Sequence, residues 1–284
     1  MSISLFTFEK WNKAIVNAAT HLYTERFPST LITALETLIK GEAAMIMLET
    51  KDQPPYLLFD QGIPIEKRGR LVDQYFTHGY LLDPFCLAVS NGLEQGFYHL
   101  SDIAPDNFFD SQYYKKYYVD VGSIENCYFI VDLDKKTKVT ICLYHGDPNY
   151  RYSQQDFSTL RAVESSVQQL VTHHWEDRKT KISTPTPQSL TQPLDVAFMN
   201  FGKSILTTRE LETTHLILRG HSSKSAAREL NISSDTVREH RKNLYRKLNI
   251  NSQAELFALF ISAISAFREG SDEDPLKNLI NHSE

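Results

Sequence analysis

The sequence predicts two domains, an N-terminal α+β domain with an antiparallel sheet flanked by helices and a small all-α domain near the C-terminal end. Three observations predict this arrangement. Short apolar, strand-like runs lie between helical segments within residues 1–177, a long amphipathic helix closes that region, and three short helical patterns follow residue 205. Residues 178–205 contain three prolines and many Ser, Thr and Gln, which is typical of a linker, and the more apolar run LDVAFMNF within this stretch is a candidate to dock on one domain.

The N-terminal region alternates helices with strands. The expected strands are Ala43–Leu48, Tyr56–Phe59, Gly96–Leu100, Cys127–Leu133 and Lys138–Tyr144. The expected helices lie over 8–26, from Pro28 to Gly41, over 66–80, over 110–119 and over 154–175, and a short segment runs from Pro84 to Gly92. Hairpins with helices before and after them are similar to sensor folds of the GAF or PAS kind, a likeness that concerns the fold and not the ligand.

The C-terminal helices have clear start and stop signals. Thr207 and Glu210 have the spacing of a capping box, so the first helix is expected to begin at Thr208, and Gly220 ends it. The N-caps of the second and third helices are expected at Ser222 or Ser223 and at Ser233 or Ser234. Two helices separated by a tight turn are therefore predicted ahead of a final helix over Gln253–Phe267.

The third helix of this domain is strongly basic. Five cationic residues fall within ten positions: Arg238, Arg241, Lys242, Arg246 and Lys247. Arg238 and Lys242 share one face because they are four residues apart, whereas Val237 and Leu244 face inward. A solvated basic surface is the ordinary explanation of such a run. Joined to the caps and the tight turn, however, the run predicts a helix that enters the DNA major groove, where Arg and Lys reach guanine.

The distribution of charge supports a local DNA contact. The chain has a net charge of −5, which alone argues against a general nucleic-acid binder. Residues 206–256 contain nine Lys or Arg and six Asp or Glu, a balance of +3, which leaves −8 for the rest of the chain. An acidic body with one small basic module is expected of a protein whose DNA contact is confined to that module.

This module resembles the helix-turn-helix of the LuxR/FixJ/NarL class of bacterial transcription regulators. The matching residues are Leu206-Thr207, Arg209-Glu210, Gly220, Ser222, Lys224, Ala227, Leu230, Ile232-Ser233, Thr236-Val237, His240, Lys247-Leu248 and Ala254-Glu255. The resemblance implies sequence-specific binding of double-stranded promoter DNA, with Arg238, Glu239 and Lys242 facing bases. It places Thr236, His240, Arg241 and Lys247 near phosphates, with Arg246 also in the interface, and makes Glu210 an anchor beneath the recognition helix.

The chain departs from the pattern of this class at two places. Thr213 and Thr214 replace a usual aliphatic pair, and Ser225 replaces a usual capping Glu. In the class, the last helix pairs with its mate in a DNA-bound homodimer, and the alternative is that this helix packs only on its own three helices. A homodimer is therefore expected, and RNA polymerase is a candidate partner.

The stretch from Tyr75 to Phe85 is similar to the aromatic and Asp-Pro region of autoinducer-binding domains in LuxR-type quorum sensors. The resemblance implies a small-molecule pocket, with candidate ligand-binding residues Tyr75, Tyr80, Asp83 and Tyr98. The match is partial, because the tyrosine-to-aspartate spacing is one residue short and Arg68 and Arg70 occupy the stretch that usually holds a tryptophan. Three alternatives stay open: an acyl-homoserine-lactone pocket, a pocket for another small molecule, or no ligand, with Asp83 only capping a helix.

Other function classes find little support. The sequence has no GxSxG, GxGxxG or phosphate loop, so no catalytic residues, cofactor or enzyme activity are predicted. An enzyme that turns over its ligand and a regulator gated only by a protein partner remain alternatives. No metal site is predicted, because the adjacent His173 and His174 diverge on a helix and are expected at the surface.

The cysteines and the hydropathy of the chain predict its cellular compartment. Cys86, Cys127 and Cys142 are odd in number and widely spaced, which is typical of reduced thiols. With no apolar run that could span a bilayer and no signal peptide, a cytoplasmic protein without membrane contact is expected. The predicted domains are therefore a sensor over 1–177, a linker over 178–205, a helix-turn-helix domain over 206–268 and a flexible tail over 269–284.

Overall fold

The computed structural model describes residues 4–51, 53–176, 191–265, 267 and 273–280. The chain forms two units. Unit 1 comprises Met1–Phe76, Ala88–Ile103 and Val121–Pro185, and unit 2 comprises Thr77–Leu87, Ala104–Asp120 and Thr186–Glu284. Two short excursions of the N-terminal region therefore belong with the C-terminal helices, whereas sequence patterns had divided the chain at residues 177 and 206. Within the described part of the chain, every helix is too short or too polar to span a bilayer.

Unit 1 is built on a five-stranded antiparallel sheet. Its strands are β1 (Ala43–Thr50), β2 (Tyr56–Gln61), β3 (Gly96–His99), β4 (Glu125–Asp132) and β5 (Thr137–His145), in the spatial order β2-β1-β5-β4-β3. All four pairs are antiparallel. The β4–β5 hairpin closes at Asp134, whose Oδ1 accepts hydrogen bonds from the backbone N–H groups of Lys136 (2.8 Å) and Thr137 (2.9 Å). The five predicted strands are confirmed, each within three residues at either end.

The helices are α1 (Leu5–Thr20), α2 (Phe27–Glu36), α3 (Ile65–Arg68), α4 (Tyr75–Thr77), α5 (Pro84–Ser90), α6 (Leu100–Ile103), α7 (Gln112–Tyr114), α8 (Gln154–Glu176), α9 (Thr191–Asn200), α10 (Thr208–Leu218), α11 (Ser223–Leu230), α12 (Ser234–Lys247), α13 (Gln253–Ser265) and α14 (Pro275–Ile280). The predicted order of helices, strand pair, helix, strand, helix, strand pair and long helix is confirmed. The fold is thus α+β in the N-terminal region and helical in the C-terminal region.

The main core of unit 1 lies between one face of the sheet and helices α2 and α8. Ile46 on β1, Phe129 on β4 and Val167 on α8 are each no more than 1% exposed. At the end of α8, the His174 ring stacks on Phe27 with centroids 4.2 Å apart, and His174 Nδ1 accepts a hydrogen bond from the Tyr23 N–H. The expectation that His174 lies at the surface is therefore wrong, because this ring fills the end of the core.

The opposite face of the sheet is also buried, and it carries polar groups. Because side chains alternate along a strand, Met45 and Tyr128 point away from the α2–α8 core, as do Glu49 and Thr140. Glu49 is 5% exposed, and the Thr140 hydroxyl donates a hydrogen bond of 2.6 Å to its Oε1. Sequence patterns did not single out Glu49, whose only signal is an acidic residue near the end of an apolar run.

The structure corrects several predicted boundaries in unit 1. The stretch 66–80 is not one helix but a series of turns, with a π-helical segment over Gly69–Gln74 between α3 and α4 and a 3₁₀ turn over Gly79–Leu82. Helix α2 ends at Glu36, not at Gly41, and α1 ends at Thr20, where the chain turns toward Tyr23 with its positive φ of 65°. Short helical turns satisfy local hydrogen bonds without the periodicity of a long helix, so hydrophobic spacing does not distinguish them.

Unit 2 corrects the predicted linker and tail. Residues 177–190 lie outside the described residues, but Thr191–Asn200 is helical, and Ala197, Phe198 and Phe201 are no more than 3% exposed. In the predicted tail, Asp274 is 4% exposed and accepts hydrogen bonds from the N–H groups of Gly202 and Ser204. The burial of Ala197, Phe198 and Phe201 agrees with the apolar character of this part of the predicted linker. The contacts of Asp274 are long-range pairings that local composition does not reveal.

A glycine substitution tests the edge of the sheet. Gly62 has a φ of +77°, and a Cβ there would lie 2.2 Å from the Glu42 carbonyl oxygen. We expect Gly62→Ala to destabilise unit 1 by about 2 kcal/mol or more, because the left-handed backbone costs roughly 1–2 kcal/mol before any clash. The measurement is urea unfolding followed by tryptophan fluorescence, since Trp11 and Trp175, the chain's two tryptophans, both lie in unit 1.

Gly41→Ala is the matched control, because a Cβ at Gly41 meets nothing within 4 Å. It should leave the free energy of unfolding unchanged or slightly raised. If Gly41→Ala and Gly62→Ala lowered the free energy of unfolding equally, the explanation given for Gly62 would be wrong.

Candidate nucleic-acid interface

Helices α11 and α12 form two helices joined by a tight turn. Helix α11 ends at Leu230 and is followed by the C-cap residue Asn231, which adopts the left-handed conformation with φ 53°. Ser233 then caps α12 by accepting a hydrogen bond of 3.0 Å from the Thr236 N–H. Asn tolerates this backbone better than most residues, and a Ser N-cap satisfies a donor that the helix leaves unpaired. The predicted cap at Thr207 is confirmed, and of the two serines expected for each later helix, Ser222 caps α11 and Ser233 caps α12.

The inward face of α12 holds it against the other helices. Val237 and Leu244 are 1% and 0% exposed, and Val237 packs with Ala226 and Ala227 of α11. Small alanines let the two helix backbones approach closely, which fixes which side of α12 faces the solvent. The inward positions predicted from spacing are confirmed.

The outward face of α12 is open and basic. The Arg238 side chain is 67% exposed, and it pairs with Asp235, one helical turn away at 2.5 Å and itself 88% exposed. An exposed pair of this kind contributes little and exchanges readily for another partner. Glu239, Lys242 and Arg246 are likewise exposed. The structure thus leaves the predicted base-facing residues accessible.

The phosphate-side candidates differ from one another in their surroundings. Thr236 is exposed, whereas His240 and Arg241 are half-buried. Arg241 Nε donates a hydrogen bond of 3.0 Å to the Tyr245 hydroxyl, and its guanidinium lies over that ring, 5.2 Å from the centroid. This contact holds the Arg241 guanidinium in one orientation on the side of α12.

Lys247, which the class resemblance places near phosphates, forms an ion pair within the domain. Its Nζ lies 2.6 Å from Glu210 Oε2, and Glu210 is 5% exposed. The same carboxylate oxygen accepts a hydrogen bond of 2.8 Å from the Thr207 N–H. Partial burial acts to raise the pKa of Glu210, but the Lys247 and Thr207 hydrogen bonds outweigh it and lower the pKa below the ordinary 4.5. Glu210 is therefore the anchor expected beneath α12, and Lys247 joins α12 to it.

The two threonines that replace the usual aliphatic pair fit within the buried side of α10. Thr213 and Thr214 are fully buried, and each hydroxyl donates to a carbonyl one turn earlier, at Arg209 (2.7 Å) and Glu210 (2.8 Å). A buried hydroxyl that keeps a partner avoids the cost of an unpaired polar group. Threonine can therefore replace a similarly branched aliphatic side chain here.

Helix α13 contacts helices outside the three-helix domain as well as within it. It contacts α10 within the three-helix core, and it also contacts α7, α9 and α14. Phe260 is fully buried, with ring centroids 5.6 Å from Phe198 and 5.3 Å from Phe201. The alternative in which α13 packs only on its own three helices is therefore incomplete, and pairing with a second copy stays a prediction.

The candidate effector residues divide between the two units. In unit 2, Tyr80 is 5% exposed and Asp83 is 3% exposed. Asp83 caps α5 by accepting hydrogen bonds from the N–H groups of Phe85 (2.8 Å) and Cys86 (3.2 Å), and its Oδ2 accepts another from the Tyr118 hydroxyl (2.9 Å). In unit 1, Tyr75 is buried, whereas Tyr98 is half-buried and donates to the Glu94 carbonyl (3.0 Å).

A capped pair of helices that buries one side of α12 and exposes a basic side defines a helix-turn-helix domain. Residues 204–260 match the family described as "Bacterial regulatory proteins, luxR family". The chain therefore carries a luxR-family helix-turn-helix domain near its C-terminal end.

Comparison with individual proteins extends the likeness. The chain is 29% identical over 199 residues to "Putative HTH-type transcriptional regulator in exeN 3'region" of Aeromonas salmonicida, covering 68% of this chain and 100% of that protein. It is 47% identical over 58 residues to the nitrate/nitrite response regulator protein NarP of Escherichia coli, covering 20% of this chain and only 27% of NarP. The VqsR LBD domain from Pseudomonas aeruginosa shares the fold, with a TM-score of 0.51 at 21% identity over 58% of this chain and 95% of that one.

A charge-neutral substitution tests the Glu210 anchor. We expect Glu210→Gln to destabilise α10 and α12 by about 1–3 kcal/mol, because a charge-assisted hydrogen bond to Lys247 is lost in a buried setting. Hydrogen exchange of peptides from these two helices measures the effect. Since the folded-state pKa is lowered, the difference between variant and wild type is full above pH 4.5 and disappears as the pH falls through the pKa of Glu210.

Glu212→Gln is the control, because Glu212 pairs with Arg209 on the exposed side of the same helix. It should cost less than about 1 kcal/mol. Similar exchange rates in both variants at neutral pH would remove the anchoring role.

Proposed function

We propose that this protein is a bacterial transcription regulator that binds specific double-stranded promoter DNA through α12. The observation that carries the proposal is the open basic face of α12 on a capped helix-turn-helix, with Arg238 67% exposed. Arg and Lys are the residues that read guanine in the major groove, and a helix held by a buried opposite face keeps them in register. The names of the A. salmonicida and E. coli relatives, both regulators, support the same conclusion.

The working form we propose is a cytoplasmic homodimer on a roughly palindromic operator. Two copies of α12 related by a two-fold axis would meet half-sites about one helical turn apart, roughly 34–36 Å. RNA polymerase is the proposed downstream partner.

We further propose that the N-terminal region binds a small-molecule effector and is not an enzyme. Support comes from its buried polar chemistry, in which Asp83 and Tyr80 are nearly inaccessible within unit 2. Buried carboxylates and tyrosine hydroxyls fix the orientation of a small ligand by hydrogen bonding. An effector controls DNA binding only to the extent that it prefers the DNA-competent arrangement over the incompetent one.

Substitutions on α12 test the DNA-binding proposal. We expect Arg238→Ala to cost on the order of 1–3 kcal/mol of binding free energy and to relax sequence preference, because it removes a base contact. Arg241→Ala should weaken binding to all sequences similarly and lower the salt slope by about one, because it removes a phosphate contact. Fluorescence anisotropy on native promoter DNA and on scrambled DNA measures both effects.

Arg209→Ala serves as the control. It removes one positive charge from α10, where Arg209 pairs with Glu212. Its affinity should stay near that of the wild type. If Arg238→Ala bound promoter DNA like the wild type, the assignment of α12 as the reading helix would be withdrawn.

Native mass spectrometry tests the effector and the stoichiometry together. Protein purified from its own host should show a dimer and a retained small molecule. Asp83→Asn should lose that molecule, because the carboxylate becomes an amide. A ligand-free spectrum would favour a regulator gated by a protein partner, and a chemically altered molecule would favour enzymatic turnover.

A further inference from the structure

A loop from the N-terminal half of the sequence lies against the start of α11. Asp106 Oδ1 accepts hydrogen bonds from the Ser222 N–H (3.1 Å) and the Ser225 hydroxyl (2.5 Å). Its Oδ2 accepts a third from the Ser222 hydroxyl (2.7 Å). Both carboxylate oxygens are thus engaged by the first turn of one helix of the helix-turn-helix, although 116 positions separate Asp106 from Ser222.

Neighbouring backbone contacts hold the same loop in place. The Asn107 N–H donates a hydrogen bond of 3.2 Å to the Gly220 carbonyl. Gly220 has a φ of +89°, and a Cβ there would lie 2.9 Å from Phe108 Cα. The close approach of the two backbones therefore needs a glycine on one side, so the contact between loop and α11 extends well beyond one flexible side chain.

The Asp106 carboxylate stays charged at neutral pH. Partial burial acts to raise its pKa, but hydrogen bonds from Ser225 and Ser222 outweigh that effect and lower the pKa to about 2. The exposed N–H groups and the dipole at a helix N-terminus also favour an anion. The start of α11 in this structure thus already holds a negative charge.

The position of this charge matters for DNA. In a helix-turn-helix, the first helix crosses the phosphate backbone while the second enters the major groove, and helix N-termini donate hydrogen bonds to phosphates. Here α11 is that first helix. A carboxylate at its N-terminus takes the Ser222 N–H, a backbone donor that a phosphate would use, and repels the phosphate chain, whereas Ser225 is buried and serves only to hold the carboxylate.

The loop is anchored to the segment that contains a candidate effector residue. Phe108 packs against Tyr118, with ring centroids 5.5 Å apart, and the Tyr118 hydroxyl donates to Asp83 Oδ2. Gly79 also approaches the Tyr117 ring closely, since a Cβ there would lie 2.8 Å from Cε1. The placement of Asp106 therefore depends on the same aromatic cluster that contacts Asp83.

We propose that the loop at Asp106–Phe108 is an autoinhibitory clamp, in which the Asp106 carboxylate occupies the start of α11 and competes with a DNA phosphate. This inference rests on the proposed function. The clamp leaves α12 exposed and acts on the helix beside it. Release of the loop raises DNA affinity without any change in the base-reading residues.

The test compares the full-length wild type with Asp106→Asn by fluorescence anisotropy on native promoter DNA. We expect Asp106→Asn to bind about tenfold more tightly, because the amide lacks the charge that holds Ser222 and Ser225. Asp110→Asn is the charge-matched control, since Asp110 is exposed in the same loop. It should stay within about twofold of the wild type.

A second variant removes the partner of Asp106 on α11. Ser225→Ala removes the 2.5 Å hydrogen bond and should raise affinity a few-fold. The double variant should bind no more tightly than Asp106→Asn alone, because both changes break one contact and residues that share a contact do not add independently. Thermal unfolding checks that each variant is folded. If Asp106→Asn does not fold, the affinity of Ser225→Ala decides the test.

The outcomes separate the clamp from the proposed function. If Arg238→Ala loses DNA binding while Asp106→Asn and Ser225→Ala match the wild type, the clamp is overturned and DNA reading by α12 stands. If the wild type, Asp106→Asn and Arg238→Ala all fail to distinguish promoter DNA from scrambled DNA, the proposed function fails, and the clamp with it.

Discussion

The ion pair between Glu210 and Lys247 is the interaction on which the orientation of the C-terminal helices depends. Glu210 caps the start of α10 through the Thr207 N–H and reaches the last residue of α12 at 2.6 Å. One carboxylate therefore joins the beginning of one helix to the end of another. Removing one partner of such a pair leaves a largely buried charge without compensation, which costs far more than an exposed pair contributes.

That junction gives the basic side of α12 its direction. With the end of α12 tied to Glu210 and with Val237 and Leu244 buried, the helix cannot rotate without exposing apolar surface. Arg238 stays outside in consequence. Lys247 is basic like its neighbours in sequence, yet its Nζ pairs with Glu210, so one member of this run of cations holds two helices together.

The structure of unit 1 depends on a different feature, a sheet that is buried on both faces. One face packs on α2 and α8 through residues such as Ile46 and Phe129, and the other holds Glu49 and Thr140 beside apolar side chains. Polar groups in such a place persist only with hydrogen-bond partners. This explains why an antiparallel sheet, which usually exposes one face, here reads as nearly continuous apolar strands.

On the proposed function, the excursions 77–87 and 104–120 are the segments through which an effector acts on DNA binding. They belong in sequence to the N-terminal region and in space to the unit that holds the helix-turn-helix. Asp83 lies in the first excursion and Asp106 in the second, with Tyr118 and Phe108 between them. Residues 104–120 contact both Asp83 and the start of α11, so in this proposal they are the shared structure that an effector biases.

The sequence by itself determined the parts that depend on local chemistry. Thr207, Ser222 and Ser233 cap their helices as predicted because a hydroxyl meets an N–H only two or three residues away. The strands followed from apolar runs, and the outward face of α12 followed from helical spacing. Only the tertiary structure decided that Lys247 pairs with Glu210, that Asp274 orders the turn at Gly202, and that Asp106 meets Ser222. Those contacts join residues 37 to 116 positions apart, and no local propensity records which distant donor a carboxylate will meet once the chain has folded.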